Sequence, residues 1–203
     1  MRKMRTPLEQ MPNMTPCEGC KKPTPDHDLV HYGSADSFRT LCLQCVNEDM
    51  AQRCGVDFEH VQFQPIAMAD HAGTLHGFHF SSRLLGEIVS LEAFELRAGS
   101  RDGYEFQVVG DAEADLWDLM AKLIERIRRA LSVSYLCEDH GELHIAGQSV
   151  CGKISSARDE DGFFSPALII DGREVSWEEF GRMLTTFEGW QFKLQILDPS
   201  DAP

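Results

Sequence analysis

Two Cys-x-x-Cys pairs constrain this chain more than any other feature: Cys17-Glu-Gly-Cys20, then 21 residues, then Cys42-Leu-Gln-Cys45. Two cysteines three apart can grip one ion from a tight turn. Two such pairs, separated by enough chain for a hairpin, complete a tetrahedral shell of soft ligands. The pattern points to one structural Zn²⁺ held by Cys17, Cys20, Cys42 and Cys45. Gly19, inside the first pair, is expected to supply backbone freedom for the turn. The same residues admit two other readings. One is a thioredoxin-like redox pair, which comes singly and in a βαβ setting. The other is a shell in which His27 or His31 replaces a cysteine.

The remaining cysteines, Cys54, Cys137 and Cys151, bring the total to seven. An odd number without a secretion signal argues against a disulfide framework and for a reducing compartment, hence the cytoplasm. Arg2, Lys3 and Arg5 are followed by no apolar stretch, and Pro7, Pro12 and Pro16 punctuate the segment. Residues 1–13 therefore read as a disordered leader and not as a signal peptide. No apolar run approaches the ~20 residues of a membrane span, so no membrane association is expected.

The first pair with Lys21-Lys22-Pro23, a hairpin from Leu29–Tyr32 and Phe38–Leu41 around Gly33-Ser34-Ala35-Asp36, and a helix opened by the second pair and stopped at Gly55 together resemble a treble-clef zinc finger. The resemblance covers residues 14–56. It implies a fold and no single activity, since such modules serve nucleic-acid binding, protein binding and plain stabilisation.

Charge narrows that choice. Residues 1–55 carry seven Lys/Arg and seven Asp/Glu; residues 56–203 carry twelve against twenty-six, which is the whole net charge of −14. Such a body repels a polyanion. Nucleic acid is left only the N-terminal segment, where Lys21, Lys22 and Arg39 are offset by Asp26, Asp28, Asp36, Glu48 and Asp49.

Beyond the finger, residues 57–74 read as a linker or an edge element, and residues 75–203 as an acidic α+β domain. Its first half (75–136) shows three antiparallel strands, with a hairpin turn expected at Asp102-Gly103. An amphipathic helix follows over Ala112–Leu131, acidic at its start and basic at its end. The second half (137–203) shows strands at Leu143–Ile145, Val150–Ile154 and Ala167–Ile170, and a capping box at Ser176–Glu179. A short helix then runs to Phe187, and an alternating strand from Trp190 to Ile196 is expected to pack on its Trp177/Phe180/Leu184 face. Trp117, Met120, Leu123 and Ile124 match Trp177, Phe180, Met183 and Leu184 at an offset of 60, and Asp102-Gly103 matches Asp161-Gly162 at 59; either a divergent duplication or the spacing common to any two amphipathic helices accounts for this. The stretch Asp171–Ile196 also resembles a segment of uncharacterised bacterial proteins that bear an N-terminal zinc finger.

Two clusters in the body are candidates for a second metal: His71, His76 and His79, with His60 and Asp70 nearby, and Cys137, His140, His144 and Cys151. In an extended strand His76 and His79 point to opposite faces, and no HExxH accompanies them. The acidic run Asp159-Glu160-Asp161 reads as a solvated turn. No catalytic residue is assigned. The expected function is that of a non-enzymatic, cytoplasmic zinc protein with a protein partner. The alternatives are a metal-dependent hydrolase using one of the two clusters, and nucleic-acid binding through the finger.

Overall fold

Antiparallel pairing governs the sheets of the computed structural model, and its class is α+β, as expected. The structure describes residues 13–34, 37–158, 162 and 164–198. The leader, apart from residue 13, lies outside them, as do Ala35-Asp36 and the acidic run at 159–161.

The N-terminal part is built around two hairpins. Strand β1 (Met14–Pro16) pairs with β2 (Pro23–Pro25), enclosing the first Cys pair. Strand β3 (Leu29–Ser34) pairs with β4 (Ser37–Cys42), which runs directly into α1 (Leu43–Cys54). Gly55 ends the helix in the left-handed conformation at φ 67°, as a C-terminal glycine does. The Tyr32 hydroxyl donates to Asp49 at 2.5 Å and Arg53 pairs with the same carboxylate at 2.7 Å, tying hairpin to helix.

The main sheet has the order β5 (Ile66–Ala69), β6 (Leu75–Leu85), β7 (Ile88–Arg97), β8 (Ser100–Asp111). The stretch read as linker or edge element thus supplies an edge strand, and Phe58, Val61 and Phe63 pack on the core. Helix α2 (Leu116–Leu131) covers one face. Its Leu119, Leu123 and Ile127 are buried against Phe78, Val89 and Leu91, the i, i+4, i+8 stripe that the sequence shows. The Asp115 side chain caps the helix by accepting the Trp117 N–H at 2.8 Å.

Asp102-Gly103 is not the hairpin turn. It lies inside β8, and the chain reverses instead at Ala98-Gly99, with φ of 51° and 85°. The reason lies on the neighbouring strand: β7 and β8 slip register between Phe94 and Leu96, and Gly103 takes φ 102° where a Cβ would meet the Glu95 carboxylate at 2.3 Å. The Asp-Gly step serves a bulge. It gives no turn for an internal repeat to match.

The C-terminal part begins with the hairpin of β9 (Leu136–Asp139) and β10 (Glu142–Ile145). A three-stranded sheet follows: β11 (Lys153–Arg158), β12 (Phe164–Ile170) and β13 (Arg173–Ser176). Strand β11 starts three residues later than Val150, the start expected for it. Asp171-Gly172 turns the chain between β12 and β13, and the Asp171 carboxylate accepts from the N–H groups of Tyr135 and Leu136 at 2.8 and 2.7 Å. Helix α3 (Trp177–Leu184) is capped by Ser176, whose hydroxyl accepts the Glu179 N–H at 3.1 Å. Residues 190–196 overturn the expected packing. They form no strand, Trp177 is exposed, and Trp190, Phe192, Leu194 and Ile196 face solvent. Met183 and the partly buried Phe180 supply the buried side of α3 instead.

Candidate metal centre and its contact with the sheet

The two hairpins bring Cys17, Cys20, Cys42 and Cys45 together, with all four Sγ atoms within 4.8 Å of one another. Cys17 and Cys45 stand 3.8 Å apart, as do Cys20 and Cys42. A tetrahedron whose corners lie about 2.3 Å from a central zinc has edges of about 3.8 Å, so the donor set and its spacing fit such an ion. Backbone N–H groups of Gly19 and Cys42 donate to the Cys17 Sγ at 3.3 and 3.2 Å. These bonds favour a thiolate there.

Burial pushes the Cys17 thiol up, but the backbone groups of Cys42, Cys20 and Gly19 outweigh it and bring it down to about 6. Burial pushes Cys42 up, and burial with the neighbouring thiols pushes Cys45 up. The directions split because one thiolate opposes the ionisation of its neighbours; a divalent cation at the centre reverses that opposition.

Gly19 has a different role from the one its type suggests. The left-handed residue of this turn is Lys21, at φ 64°. Gly19 is needed for space, because a Cβ there would sit 3.1 Å from the Cys45 Sγ and 3.2 Å from Leu41. His27 and His31 stand outside the cluster.

The module is seated on the sheet through residues that the cysteine pattern does not reveal. Asn47 is completely buried. Its Nδ2 donates to the Ser82 carbonyl at 2.9 Å and lies 3.0 Å from the His60 Nδ1, while its Oδ1 accepts the Leu84 N–H at 2.9 Å. These β6 groups lie beyond the end of β5, whose pairing stops at Phe78. On the face opposite α2, His27 sits edge-on to His79 and Phe94, with ring centres 5.5 and 5.7 Å apart. Arg101 lies over the Phe94 ring at 3.8 Å and pairs with Glu92 at 2.8 Å. Burial holds His27, His60 and His79 below the ordinary histidine value, and pushes Asp28 up. One signal was available in sequence: Asn47 shares the helical face of Leu43 and Val46, a polar residue on an apolar stripe.

The two candidate clusters of the body do not assemble. His76 and His79 face opposite sides of the sheet, as alternation requires. His76 lies between Glu95 and Asp70, its Nδ1 2.9 Å from one carboxylate and its Nε2 3.3 Å from the other. His71 belongs to a turn and donates its backbone N–H to the Leu131 carbonyl. Cys137 and His144 are register partners across β9 and β10, His140 is an exposed turn residue at φ 51°, and Cys151 neighbours Tyr135. Among the described residues only the four N-terminal cysteines gather as a metal-holding group. Two shallow depressions, of about 440 and 490 Å³, are lined by neither histidine nor cysteine.

The Asp70–His76–Glu95 triad makes stability depend on pH. The hydrogen bond to Glu95 raises the His76 value above 6.5. For Asp70, burial acts upward, but hydrogen bonds from Thr74, His76 and Ala72 prevail and lower it below 3.8. The His76 contribution is therefore complete below 6.5 and lost as pH rises through its raised value. The Asp70 contribution is complete above 3.8 and lost as pH falls through its lowered value. The melting-temperature difference between the native chain and His76→Gln is expected to be largest between pH about 4 and 6.5, and to shrink above neutrality. A difference that does not change with pH contradicts the ion-paired assignment.

Family models match three consecutive stretches of the chain, each described as a domain of unknown function: DUF7685 over residues 16–57, DUF7686 over 59–132 and DUF7713 over 133–201. The first holds the four cysteines, the second the main sheet with α2, and the third the three-stranded sheet with α3. No curated protein and no solved structure matches the chain. Among the described residues no helix is long and apolar enough to cross a membrane.

Proposed function

We propose that this chain is a non-catalytic zinc protein of the cytoplasm. Its Cys17/Cys20/Cys42/Cys45 site is structural, and its acidic α+β body serves a protein partner. The observation that carries the reading is the sulfur tetrad with 3.8 Å spacings. Four protein thiolates close the coordination sphere, and a closed sphere leaves no position for a substrate. The order of turn, hairpin and helix supports the treble-clef resemblance. The seating of α1 on β6 supports a stabilising role. Three free cysteines, Cys54, Cys137 and Cys151, lie exposed, which suits a reducing compartment. The acidic body still disfavours nucleic acid as a partner.

Elemental analysis of the purified chain is the test. One zinc per chain is expected, with loss of the metal in Cys20→Ser and in Cys42→Ser. Zinc retained by the double variant refutes the ligand set. A second, exchangeable metal would instead favour a hydrolytic site in the body, and a DNA or RNA shift that falls steeply with salt would favour the finger as a nucleic-acid module.

A further inference from the structure

Residues 190–197 carry the pattern of a half-buried strand without a strand to lie beside. Trp190, Phe192, Leu194 and Ile196 alternate with Gln191, Lys193 and Gln195. They expose 61, 91, 75 and 71% of their surface. The segment pairs with no strand among the described residues.

The three-stranded sheet offers what this segment lacks. Strand β11 is an edge, with β12 on one side and no strand on the other among the described residues. Helix α3 covers one face of the sheet at the end holding Leu168, Ile170 and Val175, through Phe180 and Met183. By register Ile154 lies opposite Leu168, and Arg158 opposite Phe164. The two-residue repeat places Ile154 and Phe164 on that same face, beyond the helix, and both are exposed. A strand added to β11 with its apolar side on this face would set its large side chains beside Ile154 and continue the core that α3 leaves open.

We propose that residues 190–197 are a donor strand that pairs with the open β11 edge of a second copy of this chain, giving a reciprocal two-fold dimer. Donor and acceptor are carried by the same chain, so two copies satisfy both at once. No carboxylates face each other along the pairing, and the Lys153 ammonium is already neutralised by Glu105. In a chain of net charge −14, residues 153–158 and 190–197 hold Lys153, Arg158 and Lys193 and no Asp or Glu. The area suffices as well. At about 150–250 Å² for a large aromatic, the four apolar side chains offer roughly 500 Å². Reciprocal pairing, burying as much again on each acceptor, covers roughly 2,000 Å², the upper end of a standard stable interface. Backbone hydrogen bonds along β11 supply affinity, and the alternating apolar side chains set beside Ile154 and Phe164 select the register.

Sedimentation equilibrium of the full chain is expected to show twice the 22.9 kDa monomer mass. Phe192→Asp combined with Leu194→Asp is expected to weaken dimerisation roughly a hundredfold, as loss of a central apolar anchor does. Both residues are exposed in the single chain, so its circular dichroism and zinc content stay unchanged. The source of the strand is tested by mixing chains bearing Ile154→Cys with chains bearing Leu194→Cys, with Cys54, Cys137 and Cys151 replaced by Ser in both. A disulfide between the two kinds of chain is expected. A native chain that sediments as a monomer, a dimer that survives the double aspartate, or the absence of the mixed disulfide each overturns the proposal. None of these results bears on the metal site, whose failure shows separately as lost zinc.

Discussion

Stripping the metal from the four-cysteine site is expected to unfold residues 14–56 and leave the main sheet with α2 folded. The module has little else to hold it. Its buried cluster consists of Cys17, Leu41, Cys42 and Val46, so half of that core is the ligand set itself. A stretch of some forty residues with so small a core does not fold on apolar burial alone. Structural zinc supplies on the order of 10 kcal/mol to such modules. The body, by contrast, closes over Phe78, Leu91, Leu123 and Ile127, all fully buried and remote from the thiols in sequence. Hydrogen exchange read by mass spectrometry separates the two parts. After removal with a strong chelator, amides of α1 and of the β3–β4 hairpin should exchange within the dead time, while those of β7 and α2 stay protected. Persistent protection of α1 in demonstrably metal-free protein would show that the site is dispensable for folding.

Asn47→Ala is expected to cost roughly 2–6 kcal/mol, because two buried backbone groups of β6 lose their partner at once. The Leu84 N–H and the Ser82 carbonyl both depend on the Asn47 amide at 2.9 Å. An unsatisfied buried donor or acceptor costs about 1–3 kcal/mol each. For a chain of this size, at about 2–4 °C per kcal/mol, that is a fall in melting temperature of roughly 4–24 °C. Asn47→Asp retains the acceptor for Leu84 but not the donor for Ser82, and puts a carboxylate in a fully buried position, so it does not rescue. Gln44→Ala, which removes an exposed hydrogen bond to Glu48 on the same helix, serves as the control. None of these changes removes a metal ligand, so zinc content should hold at the native level. A loss below about 1 kcal/mol for Asn47→Ala would mean that water replaces the amide and that the seating is loose.

Much of the local structure could be read from the chain because it rests on short-range rules. The spacing within each cysteine pair, the 3.6-residue stripe of α2 and the Ser176 cap each involve residues within a few turns of each other, although the apolar pattern starts α2 at Ala112, four residues before Leu116, where the Asp115 cap sets it. The misreadings share a cause: long-range contacts decided them. Asp102-Gly103 has the chemistry of a hairpin turn, yet the Glu95 carboxylate on the neighbouring strand claims the space above Gly103 and makes it a bulge. Gly19 was expected to supply backbone freedom, but neighbouring thiols require its missing side chain. Trp190 to Ile196 alternates as a strand does, and periodicity cannot say whether the pairing edge lies within the chain. The contact of His27, His79, Phe94 and Arg101 joins residues scattered over 75 positions, and nothing in their local sequence brings them together.

The place where α1 sits also bears on solubility. Strand β6 runs on to Leu85, well past the last rung shared with β5 at Phe78. A bare edge of that kind is a template on which further chains can polymerise. Here a single side-chain amide, carried by the cysteine module, occupies the Ser82 carbonyl and the Leu84 N–H. Asn47 thereby closes this stretch of edge, and under the proposed zinc site the closure would last only as long as the module stays folded. Loss of the proposed ion is then expected to open the Ser82–Leu84 stretch to pairing with other chains while the main core stays intact, seen as light scattering that rises on chelation.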